Sequence, residues 1–481
     1  MPENKRNPSR RTVLKAGLGL TAAAAAGALP SLGGTAAGAA TLRTPGSLPF
    51  PGRPVGRKTG ALPFDHLVIV MQENHSFDNY FGMLPLRGQP LADGFTFDAN
   101  GNPTNSNPLG SGHMVAFRET SFAGTTDTGS QTWSDTHRQI NGGAMDGFAA
   151  TGRGSMGYWD EPDLPFYYSL AKTFTLANRW FASAPCQTYP NRRFLMAGTA
   201  SGIISTNLNN INTHYPAAGT IWDLLSKHGI GWRNYFTDAP STAITLKTAL
   251  THPTHLSHIE QFYLDAKLGT LPSVSLVDCN FGAVTGEIDG VVQKVKIPTF
   301  QPILSNVLEA TAESEENPQD IQLGESFVAR VVNAVMHGPK WKSTLLVWLY
   351  DEHGGYYDHV PPPAAIPPDN IAPLLGPNDP PGGYDIYGPR VPAVVVSPFA
   401  RPHAVTNVVH DHTSVLATIE TQWNLPALTF RDANATTLAD FLDPTTMAFA
   451  RPPALTAPAN PLPGLLDIYA HGEPAPPPAT P

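Results

Sequence analysis

Two uninterrupted apolar runs constrain this chain more than any other feature. Leu67-Val68-Ile69-Val70-Met71 passes directly into Gln72-Glu73-Asn74-His75-Ser76-Phe77-Asp78, and Thr344-Leu345-Leu346-Val347-Trp348-Leu349-Tyr350 passes directly into Asp351-Glu352-His353-Gly354-Gly355. A strand with one wet face alternates apolar and polar residues. A run apolar at every position suits a strand buried on both faces, the condition of a parallel sheet covered by helices. Residues 273–277 and 391–396 read as further strands. Between these runs the period changes to that of helices. Thr220 caps one through Ile221, Trp222, Leu224 and Leu225, stopped by Gly229. Asp320 caps another carrying Phe327, Val328, Val331, Val332 and Val335, and Val415, Leu416, Ile419 and Trp423 mark a third. The alternation predicts an α/β fold with a mostly parallel central sheet flanked by helices.

Composition narrows the class. At 481 residues the chain has room for two or three domains, or one large α/β domain. Charged residues make up 14%, against about 25% in typical globular proteins. A coiled coil and a charge-rich disordered chain are thereby excluded, and collagen is excluded by the lack of a Gly-X-Y period. The 49 prolines cluster: nine fall within 361–383, and ten fall between Pro452 and the end. The first stretch is long enough to be a functional loop, and the second reads as a mobile tail.

The first forty residues read as an address. Ser9-Arg10-Arg11-Thr12-Val13-Leu14-Lys15 precedes a short apolar run at 16–29, and Ala37-Gly38-Ala39 offers a small-residue cleavage site. This order defines an export signal, and the paired arginines make it resemble a twin-arginine signal. The expected location is extracellular, cell-wall or periplasmic, with the twin-arginine export machinery as a partner. These forty residues hold five bases and one acid, so the remainder carries −13 rather than the whole chain's −9. An acidic body argues against nonspecific nucleic-acid binding and against a polybasic membrane anchor. No later stretch approaches about 18 apolar residues, so the mature chain is expected to be soluble. The expected organisation is a signal peptide over 1–40, a linker over 41–60, a catalytic domain over 61–450 and a tail over 451–481. Two cysteines, Cys186 and Cys279, are too few for a disulfide framework. One bridge and two buried thiols both remain open.

Polar clusters sit at the strand ends, where open α/β sheets bind ligands. The strand over 273–277 likewise ends at Asp278. Carboxylates brought so close raise one another's pKa. A divalent cation bridging Glu73, Asp351 and Glu352, with the amide oxygen of Asn74, removes that cost, and oxygen ligands suit a hard or borderline ion.

Five segments carry a family resemblance. They are Phe64-Asp65-His66 through Asn79-Tyr80-Phe81-Gly82, His137-Arg138-Gln139-Ile140-Asn141-Gly142-Gly143-Ala144-Met145-Asp146-Gly147, Thr188-Tyr189-Pro190-Asn191-Arg192, residues 351–360, and Asp411-His412-Thr413-Ser414. In this order they resemble the bacterial phosphoesterases that include non-haemolytic phospholipase C and an acid phosphatase type, over about 64–443. The resemblance implies an alkaline-phosphatase-like fold and a metal-assisted phosphoric ester hydrolase, foremost of phospholipase C type. A phosphomonoesterase of the same fold and a catalytically weakened phosphate-ester-binding protein are the alternatives. The substrate implied is a phospholipid or other phosphate ester, with transient contact at a membrane surface.

The resemblance also distributes roles. Thr188 matches the nucleophile, and Glu73, Asn74, Asp351 and Glu352 match the metal and phosphate site. His137 and His353 match phosphate-facing or proton-transferring groups. Asn191, Arg192, His359, His412 and Asp278 fall to substrate binding or to holding the nucleophile segment. The chemistry is coherent: a threonine hydroxyl needs a metal or base to become a nucleophile, a cation also clamps phosphoryl oxygens, and a histidine can protonate a leaving oxygen. Tyr158, Trp159, Trp180 and Phe181 are candidates to pack on a choline headgroup, although such aromatics are more often core. Three departures stand out. Asn317, in Glu316-Asn317-Pro318-Gln319, occupies the place of a family histidine; Asn178 stands where relatives often carry Asp; and the C-terminal β-domains of some family phospholipases are not expected after 443.

Overall fold

The computed structural model describes residues 42–207, 213–282, 312–460 and 474–480. The export signal expected over 1–40 lies outside the described residues. The first apolar run forms β1 (His66–Gln72). Two short pairs follow, β2 (Ser106–Leu109) with β3 (Gly112–Val115), and β4 (Phe117–Arg118) with β5 (Gly157–Tyr158). The central sheet continues with β6 (Thr175–Ala177), β7 (Trp232–Phe236), β8 (Leu256–His258), β9 (Val274–Val277), β10 (Thr344–Tyr350), β11 (Ala393–Val396) and β12 (Val405–Thr406). Its spatial order is β12-β6-β11-β10-β1-β9-β7-β8. Only β11 runs against its neighbours; every other pairing in this sheet is parallel. All seven residues of β10 are buried, as their unbroken apolar character requires.

Register builds the site edge. Gln72 pairs with Tyr350 across β1 and β10, and Val70 pairs with Val277 across β1 and β9. Glu73, Asp351 and Asp278 therefore emerge side by side at the carboxyl ends of three adjacent strands. The expected helices form where their caps stand. Thr220 closes a capping box with Asp223 over Ile221–Lys227, the Asp320 side chain accepts from the Gln322 amide at the start of Ile321–Met336, and a third helix spans Thr413–Trp423. Among the described residues no helix is long and apolar enough to cross a membrane.

Two stretches expected to be loose are tied down. The linker expected over 41–60 is strapped along 422–427: Gly46 N–H donates to Ala427 O at 2.8 Å, Thr59 N–H to Gln422 O at 2.8 Å, and Asn424 Nδ2 to Phe50 O at 3.0 Å. The described parts of the tail also lie on the body. Thr456 N–H reaches Ser169 Oγ at 3.0 Å, and Thr480 exchanges 2.8 Å backbone bonds with His113. Proline removes donors and fixes φ, but each remaining amide still needs a partner, and here the folded surface supplies several.

The turn after β10 is forced by close approach. Gly354 has φ +65° and Gly355 has φ +78°; a Cβ on Gly354 would fall 1.9 Å from Asn74 O, and one on Gly355 would fall 1.8 Å from Gly129 O. The glycines bring this turn against protein backbone. A buried ion cluster then fastens the following residues. Arg390 Nε donates to Asp358 Oδ1 at 2.8 Å, its Nη2 to Asp78 Oδ1 at 3.1 Å and its Nη1 to Asn178 O at 3.0 Å. His359 Nδ1 lies 2.6 Å from Asp78 Oδ2. Burial disfavours the imidazolium, but the Asp78 carboxylate outweighs it and raises the His359 pKa to about 10.

Two outcomes follow from this packing. Gly355→Ala must push its methyl into the Gly129 carbonyl at positive φ, and is expected to destabilise the fold by roughly 2–4 kcal/mol in urea titrations. The His359–Asp78 pair contributes fully while the imidazole is protonated in both folded and unfolded chains, below pH 6.5, and its contribution is lost as pH rises to about 10. Thermal melts across that window are expected to fall more steeply for the wild type than for His359→Asn.

Candidate active site

The proposed nucleophile does not sit in a turn. Thr188 opens the helix Thr188–Ala197, with Gln187 as its N-cap and Gly198, at φ +71°, as its C-cap. Pro190 falls in the first turn, where a missing N–H costs nothing. Gln187 offers no side-chain cap, so the positive end of the helix dipole lies at Thr188 without a side-chain cap acceptor. Thr188 is 6% exposed, and its Oγ1 donates to Asn74 Oδ1 at 3.3 Å. The end of β1 and the start of this helix thus meet at the two residues expected to share chemistry.

Asn191 braces the segment before Thr188. Its Nδ2 donates to Cys186 O at 2.6 Å and Ala184 O at 3.2 Å, while its Oδ1 accepts from Ala184 N at 3.0 Å. Arg192, one residue on, is buried, and each of its three nitrogens donates to protein. Nε reaches Asp351 Oδ2 at 2.9 Å, Nη2 reaches Met71 O at 3.2 Å and Gln72 O at 3.3 Å, and Nη1 reaches Ser241 Oγ at 3.2 Å. Glu73 Oε1 stands 3.4 Å from Nη2. Asp278 acts behind this clamp: its Oδ1 accepts from Ser241 Oγ at 2.6 Å and its Oδ2 from Asn234 Nδ2 at 2.6 Å. Asn191, Arg192 and Asp278 therefore brace the site from within.

Three buried carboxyls surround that clamp. Burial, opposed by Arg192 and reinforced by Asp351, pushes Glu73 up to about 8. Burial likewise lifts Asp351 to about 7 and Glu352 well above the usual carboxylate range. Glu352 Oε2 accepts from Gly354 N at 2.8 Å, and among the described residues its Oε1 has no partner. One guanidinium shared by two carboxylates leaves negative charge unmatched, and every donor is a hard oxygen or an amide oxygen. The donor chemistry of Glu73, Asn74, Asp351 and Glu352 suits a divalent cation, but the three carboxyls do not bring one oxygen each within 4.8 Å of one another. Among the described residues only Asp78, Asp358 and His359 bring three His, Cys or carboxylate ligand atoms within 4.8 Å of one another, and Arg390 already lies between the two carboxylates.

The histidines separate. His353 is fully buried beside Glu352, its Nε2 2.7 Å from Gln139 Oε1, and burial lowers its pKa to about 3. His412 is also buried: its Nε2 donates to Asp351 O at 2.7 Å and its Nδ1 accepts from Trp180 Nε1 at 3.3 Å, so it positions the Asp351 backbone. His137 is half-buried and packs at a 40° tilt against Trp133, with Nδ1 2.7 Å from Trp133 O, beside Gly382 of the proline-rich loop. His359 belongs to the Arg390 cluster. Trp159 and Trp180 lie in the main core, Tyr158 in a second apolar cluster, and Phe181 is buried, so the headgroup role considered for them gives way to packing. Cys186 and Cys279 are both free and buried.

Asn178 is explained by its partners: Nδ2 donates to Leu91 O and Asn407 Oδ1, both at 2.9 Å, which a carboxylate could not do. Asn317 Nδ2 donates to Thr128 Oγ1 at 3.2 Å. The residues sequence reasoning missed are Gln139 and the pair Glu315 and Glu316. Glu315, at φ +75°, receives the hydroxyls of Tyr80, Tyr167 and Tyr350, and holds Glu316 beside Glu73 and Asn74. Only the run of acids at 313–316 hinted at it.

The sequence matches the Phosphoesterase family over residues 64–426. It is 31% identical to Non-specific phospholipase C1 of Arabidopsis thaliana over 412 residues, 79% of this chain and 71% of that protein. Phospholipase C A of Mycobacterium tuberculosis is 28% identical, covering 84% and 81%. Non-hemolytic phospholipase C of Burkholderia pseudomallei is 29% identical, covering 77% of this chain and 57% of that protein. Among solved structures, a protein in the alkaline phosphatase superfamily from Vibrio parahaemolyticus is similar at 14% identity and TM-score 0.35, covering 73% of this chain and 77% of that one. The sequence matches, joined to a buried carboxylate row that meets a helix-borne hydroxyl, place the chain in the Phosphoesterase family, as a hydrolase that cleaves phosphoesters.

Proposed function

We propose that this chain is an exported phospholipase C, cleaving the bond between diacylglycerol and a phosphorylated headgroup through a phosphothreonine on Thr188. The observation that carries the mechanism is Thr188 Oγ1 at a helix N-terminus, 3.3 Å from Asn74 Oδ1 at the end of β1. The substrate class is supported by the relatives named phospholipase C. Glu73, Asn74, Asp351 and Glu352 would hold a divalent cation, which supplies Lewis-acid activation of the hydroxyl and charge compensation for the phosphate. Thr188 Oγ bonds to phosphorus as the diacylglycerol oxygen leaves and takes a proton. Water then displaces Thr188 and releases the phosphorylated headgroup. The amide end of the helix Thr188–Ala197 favours the added negative charge at Thr188. Arg192 holds Glu73 and Asp351 in place and opposes the burial that raises their pKa values. His137, half-buried at the proline-rich loop, is assigned the proton for the leaving oxygen. Export by the twin-arginine route is supported by Arg10-Arg11 and the small-residue run that follows.

Thr188→Ala is expected to lower kcat by about 10⁴-fold or more on phosphatidylcholine vesicles. Wild-type enzyme acid-quenched during turnover of phosphatidylcholine should carry one phosphorylcholine group on Thr188 by intact mass and peptide mapping; turnover retained in the variant would sink the mechanism. Nitrophenyl phosphorylcholine should be cleaved faster than nitrophenyl phosphate, and the reverse order would sink the phospholipase assignment. His137→Asn should slow phosphatidylcholine far more than the nitrophenyl diester, because nitrophenolate leaves without a proton. Equal losses on both would remove His137 from that role.

A further inference from the structure

A second series of hydrogen-bonding groups lies at the edge of the sheet opposite Thr188. Trp232 opens β7 and pairs with Val274, the first residue of β9, whereas it is the last residue of β9, Val277, that leads into Asp278. Ser226 sits on the helix Ile221–Lys227 and His252 follows the helix Leu246–Thr251. Asp223, on the same helix as Ser226, divides its carboxylate between two tasks. Oδ2 serves the cap, accepting from Thr220 N at 2.9 Å and from the Tyr215 hydroxyl at 2.5 Å. Oδ1 faces His252 Nε2 at 2.9 Å. His252 Nδ1 in turn faces Ser226 Oγ at 3.5 Å, and Ser226 Oγ accepts from Trp232 Nε1 at 2.8 Å. The capping box needs only Thr220 and Asp223, so the series through His252 to Ser226 is surplus to it.

The two ends of the series set its direction. An indole N–H can only donate, so the Ser226 oxygen accepts from Trp232 and its own hydrogen is left for another partner. Burial raises the Asp223 pKa, but hydrogen bonds from Tyr215, Thr220 and His252 outweigh it and lower the net value, so this carboxylate accepts and His252 Nε2 donates. A neutral His252 then turns the lone pair of Nδ1 toward the Ser226 hydroxyl. Aromatic neighbours hold the ring: it meets Trp232 edge-on at 5.7 Å and His255 at 5.8 Å, and His255 stacks on Trp232 at 4.3 Å. The Ser226–His252 separation is longer than a settled hydrogen bond, as acid–base contacts often are before a substrate closes them. Ser226 is half-buried, and the side chains of His252 and Asp223 are 16% and 31% exposed, so a small reagent reaches the group.

We propose that Ser226, His252 and Asp223 form a second nucleophilic centre, independent of the Thr188 site, at which Ser226 takes the acyl group of a small carboxylic ester. The roles are those of a nucleophile, its base and the group that orients the base. A hydroxyl–imidazole–carboxylate series suits acyl transfer, and its half-open position suits a short acyl chain. Ser226 Oγ bonds to the ester carbonyl carbon while its hydrogen passes to His252 Nδ1. The bond from that carbon to the leaving oxygen then breaks, and the leaving oxygen takes the hydrogen from His252. Each chain releases one alcohol and keeps one acyl-serine.

The test uses the full chain carrying Thr188→Ala, which removes the other proposed nucleophile, treated with 4-nitrophenyl acetate. Expected are a burst of one nitrophenolate per chain, a gain of one acetyl group by intact mass, and that acetyl on Ser226 by peptide mapping. Adding Ser226→Ala should abolish the burst. Adding His252→Asn should slow it by about 100-fold or more, and Ser226→Cys, which keeps a nucleophile in place, should retain it. Circular dichroism and thermal melts establish that each variant folds like its parent. Should one fail to fold, treating the Thr188→Ala chain beforehand with a fluorophosphonate, which blocks activated serines, must label Ser226 and remove the burst. A folded chain that gives no burst, acetyl spread over lysines at the same rates with and without Ser226→Ala, or a burst unchanged by His252→Asn overturns this inference and leaves the proposed phospholipase activity standing.

Discussion

The guanidinium of Arg192 joins the carboxyl ends of β1 and β10, and the geometry of the site depends on it. It is buried, and two carbonyls of β1, the Asp351 carboxylate after β10 and the Ser241 hydroxyl accept from its three nitrogens. Arginine suits this position because its planar fork stays charged in a buried setting and reaches several acceptors at once. The helix that carries Arg192 begins at Thr188, so one residue anchors both the carboxylate row and the element that delivers the hydroxyl. Removing it would leave buried carboxylates uncompensated, a larger loss than the pair's own net worth.

Around that clamp the polar motifs serve mostly as braces. Asn191 closes the 184–187 segment, His412 holds the Asp351 carbonyl, Asp278 supports Ser241, and Gly354 and Gly355 permit a turn that no side chain could enter. Thr188, Asn74, Glu73, Glu352 and His353 lie among these braces, and all five are buried. A densely braced site suits phosphoryl chemistry, where positioning and fixed charge supply most of the rate.

Much of this was legible in the chain. Continuous apolar runs gave β1 and β10 because burial on both faces leaves no polar position, and capping residues marked two helices, and apolar spacing a third, within one or two residues of their observed ends. Other elements left weaker marks. β6, β8 and β12 span two or three residues, too few to show a period. The helix Thr188–Ala197 was hidden by Pro190, a breaker everywhere except the first turn. The straps over 42–60 and 451–460 were illegible for another reason: proline-rich segments look loose in isolation, and their partners lie hundreds of residues away.

By itself the sequence determined which residue types line the sheet edge, because each acidic motif follows its apolar strand directly in the chain. Which of them face one another was decided only in three dimensions. The parallel register of β1, β9 and β10 set Glu73, Asp351 and Asp278 in one row. The packing of Trp133–Ile140 turned Gln139 toward His353 and placed His137 beside the proline-rich loop. Residues two apart on a helix point in different directions, so a motif that names His137 cannot by itself say which neighbour reaches the buried site.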